Sequence, residues 1–259
     1  MVMGSAGFLF SFLFGLAVGS FLNVCIYRIP LKKSIIYPPS SCPQCGARIR
    51  FYDNIPLLSY ILLLGRCRHC LNPISVQYPM VEAITGLLSA ALLIKFQLSA
   101  QYLLFFLFCA SLVTIAFIDL HHKLIPDVLS IPVLIIGFAA SLLRVGQILW
   151  LDSLIGILGG GGFLYLVAII FEKLTGREGM GGGDVKMMAM IGAWAGWRAL
   201  PLILLISSLG GILIGGSSLL FGKKGMRTKI PFGPFLALGA IIWVFFGQDL
   251  QWWLYELGR

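Results

Sequence analysis

Long apolar runs, broken by short polar connections, occupy nearly the whole chain. They fall near residues 5–27, 79–97, 101–118, 126–143, 152–172, 185–197, 199–221 and 231–248. A helix needs roughly 20 residues to cross about 30 Å of hydrocarbon, and most of these runs approach that length. The pattern predicts an all-α polytopic membrane protein with about eight transmembrane helices. One run is short. From Val185 it is apolar only to Trp197, where Trp194, Trp197, Arg198 and Pro201 mark a membrane–water boundary. Asp184, which opens it, lies roughly 20 Å from that boundary and so roughly 10 Å inside the opposite face. An ionised carboxylate at that depth is costly, and such residues usually carry function.

Composition agrees with the pattern: 59% of residues are hydrophobic, 11% are charged and the mean hydropathy is +0.95. The stretch from Ser5 to Tyr27 lacks a basic leader and a small-residue cleavage site, and it reads as a retained helix rather than a signal peptide. The net charge of +9 does not indicate nucleic acid, because the basic residues are scattered among short loops. With the N-terminus outside, loops 28–78, 119–125, 173–184 and 222–230 face the cytosol. Together with Lys186, the cytosolic side then holds fifteen Lys and Arg residues, against four outside, a strong positive-inside asymmetry. Trp150, Trp194, Trp197, Trp252 and Trp253 fall on the outer side, as an interfacial belt would. Four regions follow: a first transmembrane helix (5–27), a cytosolic segment (28–78), a transmembrane region (79–248) and an outer tail (249–259). Small-residue pairs, Gly15 with Gly19, Gly156 with Gly160 and Gly211 with Gly215, suit close helix packing.

The cytosolic segment is too small to bury much core. It carries Cys42-Pro43-Gln44-Cys45 and Cys67-Arg68-His69-Cys70, separated by 21 residues. Two such knuckles place four thiolates around one tetrahedral ion, and a closed four-sulfur shell makes that ion, expected to be zinc, structural. A cytosolic location disfavours the alternative of two disulfides. His69 suits either a substitute ligand or a solvated loop residue, and Cys25 and Cys109 suit packing within helices.

A second acidic residue, Asp119, ends another apolar run in Phe117-Ile118-Asp119-Leu120-His121-His122-Lys123-Leu124-Ile125-Pro126-Asp127. Two carboxylates sharing one proton can hydrolyse a peptide without a metal. One takes a proton from water while the other hydrogen-bonds or protonates the carbonyl oxygen. Gly181 and Gly183 let backbone approach a substrate strand, and the following helix favours an anion at Asp184. Simpler roles stand beside these. Asp184 and Asp127 suit helix capping, Asp119 suits an ordinary helix end, and Lys186 suits a snorkelling interfacial lysine. Glu82 fits either a dipole-stabilised interfacial residue or a cofactor pocket. Gly222–Lys229 reads as a basic lipid-facing turn, and Ile230-Pro231-Phe232-Gly233-Pro234-Phe235 can wall the active site. Asn23 and Arg28 are candidate interhelical contacts.

Together these residues resemble the type IV prepilin peptidases, bifunctional leader peptidase/N-methyltransferases of the GxGD aspartic type. The resemblance rests on Ser20 to Arg28, the paired CxxC motifs, Tyr78-Pro79-Met80-Val81-Glu82, Asp119 to Asp127, the Gly-x-Gly-Asp ending at Asp184, and Ile230 to Phe235. It implies Asp119 and Asp184 as the catalytic pair, with Gly181, Gly183, Lys186 and Asp127 supporting them. It implies prepilins or pseudopilins as substrates, a multi-pass place in the bacterial inner membrane with the active site facing the cytosol, and partners in the pilus or type II secretion machinery. It further implies N-methylation of the new N-terminus by S-adenosylmethionine, with the cysteine segment involved and Glu82 the sole candidate contact to the donor. Two alternatives remain open at this point: a protease without methyl transfer, and a zinc-stabilised transporter.

Overall fold

The structure is a computed structural model that describes residues 5–145, 148–176, 181–221 and 231–257. Arg177, Gly179, Met180, the basic turn 222–229 and Ile230 lie outside these residues. Helices in chain order are α1 (Ser5–Arg28), α2 (Leu58–Leu62), α3 (Gln77–Phe96), α4 (Ala100–His122), α5 (Asp127–Leu142), α6 (Trp150–Thr175), α7 (Gly182–Ala195), α8 (Leu200–Phe221) and α9 (Gly233–Leu257). The short α2 and a 3-10 turn at Phe51–Asn54 lie between the two cysteine knuckles.

All eight apolar runs are helical, but they do not all qualify as crossings. α1, α3, α4, α6 and α9 are long and apolar enough by themselves. α7 and α8 pass only as a pair, bent by 116°. The bend occurs at Gly196, whose φ of +76° suits glycine rather than a side-chain-bearing residue. α5 is a shorter apolar helix of 16 residues. Among the described residues, length and composition give five spans, or six with the bent pair, and α5 adds a shorter apolar helix.

Two compact units divide the chain, Met1–Thr114 and Ile115–Arg259. In the first, α1 and α3 pack through glycine. A Cβ on Gly15 would sit 2.6 Å from the Ser89 Cβ, and one on Gly19 would sit 2.7 Å from the Glu82 Cα. Three buried hydroxyls satisfy one another at the same interface: Ser11 Oγ to Ser89 Oγ at 2.8 Å, Ser11 Oγ to Tyr102 Oη at 3.0 Å, and Ser89 Oγ to Tyr102 Oη at 2.8 Å. In an apolar bundle, polar groups need such partners. Cys25 and Cys109 are buried without polar duty, as packing residues should be.

In the second unit α7 is the central element. Met187, Met188, Met190, Ile191 and Ala193 are completely buried. A Cβ on either Gly156 of α6 or Gly192 of α7 would overlap the other's carbonyl, so these backbones touch directly. Ser153 Oγ donates to the Ala193 carbonyl at 2.8 Å across the same contact. Gly160 is similarly tight against Met188, whereas Gly211 meets Phe235 only at an ordinary 3.9 Å. Trp194 departs from the expected belt. It is buried, its indole donates to the Val133 carbonyl at 2.9 Å, and it occupies the space above Gly137. Trp150, Trp197 and Trp252 remain exposed, as belt residues should. Adding a methyl to a filled contact costs roughly 1–3 kcal/mol. Gly192→Ala should therefore lower the thermal unfolding midpoint in detergent, while Gly162→Ala, where no atom lies within 4 Å, should leave it unchanged or raise it.

Candidate active site

Each cysteine knuckle is a tight backbone loop with the same internal bonds. Cys42 N–H donates to the Ala47 carbonyl and Gly46 N–H to the Cys42 carbonyl, both at 2.9 Å. Cys67 N–H to Asn72 at 2.9 Å and Leu71 N–H to Cys67 at 3.0 Å repeat the pattern 25 residues on. The bridges Ser41 to Arg48 and Arg66 to Pro73 close the two loops alike. The Sγ atoms of Cys42, Cys45, Cys67 and Cys70 all lie within 4.8 Å of one another, with Cys42 and Cys70 at 3.9 Å. Four sulfurs 2.3 Å from one ion would be separated by about 3.8 Å, so the cluster fits a tetrahedral metal. All six cysteines are free thiols. Backbone N–H groups of Cys70 and His69 are aimed at Cys67 and lower its thiol pKa, while the neighbouring sulfurs raise that of Cys70. The knuckles differ at one position. Gly46 takes φ +70°, whereas the equivalent Leu71 takes φ +59°, a conformation costing a leucine roughly 1–2 kcal/mol.

Glu82 sits near this segment but not in an open pocket. It is buried, at 7% exposure, and its Oε2 accepts the Leu57 N–H at 2.9 Å, while Ser20 also bonds the carboxylate. Glu82 thus ties α1, α3 and the start of α2 together, the geometry of a strut. Asn23 Nδ2 reaches Tyr78 of α3 at 3.1 Å, an interhelical contact as expected. Arg28 instead holds the loop after its own helix, through the Ser34 and Pro38 carbonyls at 2.9 and 2.7 Å.

In the second unit Asp119 and Asp184 lie near enough for the charge of Asp119 to act on Asp184. Asp119 is 5% exposed near the end of α4, and its Oδ2 accepts the Gly233 N–H at 3.0 Å. Gly233 opens α9, so this N–H is one of the donors a helix start cannot satisfy internally. A Cβ at Gly233 would lie 2.6 Å from the same oxygen, and only glycine admits the carboxylate there. Asp184 is half-buried in the first turn of α7. The N-cap of α7 is Gly181 rather than Asp184, and the Asp184 carboxylate bonds back to the Gly181 backbone, as the third residue of a capping box does. Gly183 is sterically required, since its Cβ would meet the Ile125 Cβ at 2.9 Å. Gly182 faces open space, with no atom within 4 Å of an added Cβ.

Two expectations change here. Asp127 does not cap α5; Pro126 is the N-cap, and no side chain bonds the helix start. The Asp127 carboxylate instead receives Lys186 Nζ at 2.7 and 2.8 Å. Lys186 is therefore ion-paired rather than simply snorkelling. Two residues along a helix turn the side chain by about 200°, so Lys186 points away from the Asp184 face. The pair clamps the start of α5 to the first turn of α7.

Family models match both units in order. The bacterial peptidase A24 N-terminal domain matches residues 13–96, and the type IV leader peptidase family matches residues 106–216. A prepilin leader peptidase/N-methyltransferase of Burkholderia pseudomallei is 37% identical, over 92% of this chain and 85% of that protein. Its counterpart in Aeromonas hydrophila is 39% identical over 93% and 91%, and that of Pseudomonas aeruginosa 38% over 92% and 90%. The chain belongs to the type IV leader peptidase family. No solved structure matches it.

Within this family chain, sequence reasoning missed the Gly233 donor and the Lys186–Asp127 clamp. A glycine between Phe232 and Pro234 at the start of an apolar run was the available signal for the first. An acid and a base 59 residues apart gave none for the second. The cysteine cluster yields a direct test. The purified protein should bind one metal ion per chain, and chelation should expose residues 40–74 to protease, as metal and folding are coupled in coreless segments. Full metal content in a Cys42→Ser/Cys67→Ser double variant would rule out the four-thiolate site.

Proposed function

We propose that the chain cleaves the leader peptide from type IV prepilins or pseudopilins at the cytosolic face of the inner membrane and then N-methylates the new N-terminus. Asp119 and Asp184 are the catalytic pair. The single observation that supports the peptidase reading is that the charge of Asp119, near the end of α4, acts on Asp184, in the first turn of α7. Relatives named prepilin leader peptidase/N-methyltransferase over nearly the full length support both activities.

Two carboxylates in contact hold one negative charge more cheaply than two, so the pair shares a proton. Asp119 Oδ2 accepts the Gly233 N–H, which leaves Oδ1 as the atom that carries the proton when it resides on Asp119. The ionised partner takes a proton from water as that water attacks the scissile carbonyl carbon. The protonated partner hydrogen-bonds the carbonyl oxygen, then passes its proton to the leaving amine. Open space at Gly182 gives an extended substrate backbone room beside Asp184. Gly181 and Gly183 hold the turn, and the Lys186–Asp127 clamp keeps α5 and α7 in register.

Residues 28–78 form the metal-stabilised domain and 79–248 the peptidase region. The metal is zinc, held by Cys42, Cys45, Cys67 and Cys70, and it supplies structure in place of a hydrophobic core. The methyl donor is S-adenosylmethionine. Glu82 accepts bonds from Leu57 and Ser20, and no step is assigned to it. The cytosolic orientation rests on the positive-inside asymmetry. Partners in the pilus or secretion machinery follow from the substrate class.

The test incubates purified protein with a prepilin and the methyl donor and reads product mass. The unaltered protein should remove the leader and add one methyl. Asp119→Asn and Asp184→Asn should each abolish cleavage while retaining bound metal, and normal cleavage by either would overturn the assignment. Gly233→Ala should cut kcat at least about tenfold by displacing the Asp119 carboxylate, since a misplacement of about 1 Å can cost about a hundredfold. Unchanged kcat would show that the Gly233 contact is not needed.

A further inference from the structure

The cysteine-rich segment has almost no interior. Between the end of α1 and the start of α3, Ser59 alone among residues 29–76 is buried. A metal can hold such a segment together, but it does not explain the segment's surface. Leu62, Leu64 and Leu71 are 71%, 85% and 67% exposed. With Leu63, Arg66 and Arg68 they line one groove of about 540 Å³. Leu64 and Leu71 both hold left-handed backbone, at φ +50° and +59°. Neither leucine gains burial in return for that strain. Exposed leucines gathered around one groove are the mark of an interaction surface.

We propose that this face docks onto the membrane the chain itself spans, with Leu62, Leu64 and Leu71 entering the interface and Arg66 meeting anionic phospholipid headgroups. Three observations choose this occupant. α1 and α3 both qualify as membrane spans, so the segment leaves and re-enters the bilayer on one side and stays at its surface. Residues 29–76 contain Lys32, Lys33, Arg48, Arg50, Arg66 and Arg68 against the single acid Asp53, a charge that attracts an anionic leaflet. The same charge opposes a basic leader peptide as occupant. Arg68 is engaged by Asp53 through a two-point pairing at 2.6–3.0 Å, whereas Arg66 is exposed at the groove's edge. Leucines beside arginines match the layering of an interface, apolar below and phosphate above. Docked in this way, the metal-bound knuckles lie flat against the leaflet rather than swinging into solvent.

The experiment places the full-length protein in nanodiscs of phosphatidylcholine, alone or mixed with phosphatidylglycerol. A lipid carrying a photoactivatable group near its headgroup is included in either the anionic or the zwitterionic form, and adducts are mapped by mass spectrometry. Both leaflets of a nanodisc have one composition, so the result is independent of orientation in the cell, and leader cleavage measured in parallel tests the peptidase reading separately. Adducts should appear on residues 58–72 with the anionic probe, several-fold above the zwitterionic one. Arg66→Glu should reduce them about fivefold or more, and Leu62→Asp/Leu64→Asp should remove them, each with bound metal retained as the sign of a folded knuckle. Labelling confined to α1 and α3 would overturn the proposal, as would equal labelling by both probes. Protection of residues 58–72 by added prepilin, without lipid adducts, would assign the face to substrate instead.

Discussion

The hydrogen bond from Gly233 N–H to Asp119 Oδ2 meets the main constraint on this molecule: a carboxylate in an apolar bundle must find donors within the bundle. Its own helix offers none, since Asp119 lies near the end of α4, where carbonyls rather than amides are unpaired. The start of α9 supplies the missing donor, and only glycine lets the oxygen close enough to use it. Asp184 solves the same problem within its own first turn. Two helix starts thus converge on two acids.

The surrounding architecture serves that convergence. α7 is too short to be an ordinary span, and it is the most completely buried helix of its unit. Its burial depends on bare backbone contact with α6 at Gly156 and Gly192 and on Trp194 filling the space over Gly137. The Lys186–Asp127 pair fixes its acidic end against α5. Because both ions are about half exposed, that pair contributes alignment more than stability. In the other unit, four cysteine sulfurs gather where they could hold a metal ion, and Glu82 fastens the cysteine segment to its helices.

Much of this was legible in the sequence because it follows from spacing. Apolar run length located the eight long helices, the two CxxC motifs located the sulfur cluster, and an acid beneath the membrane surface singled out Asp184. What escaped was set by three-dimensional packing. Trp194 has the composition of a belt residue, yet it is buried because Gly137 on another helix leaves room for an indole. Gly196 looks like any other helix glycine until its positive φ turns one apolar stretch back on itself. Asp127 satisfied every local rule for a cap, and a lysine 59 residues away outcompeted the helix start for its carboxylate.

The claim underlying the whole account is that Asp119 and Asp184 touch within the lipid-embedded protein. Solid-state NMR on the full chain, reconstituted in lipid with 13C-carboxyl aspartate, measures this directly. A through-space cross-peak between the two γ-carbons, within about 6 Å and absent from Asp184→Asn, is the predicted result. Two assigned resonances with no cross-peak between them would contradict it.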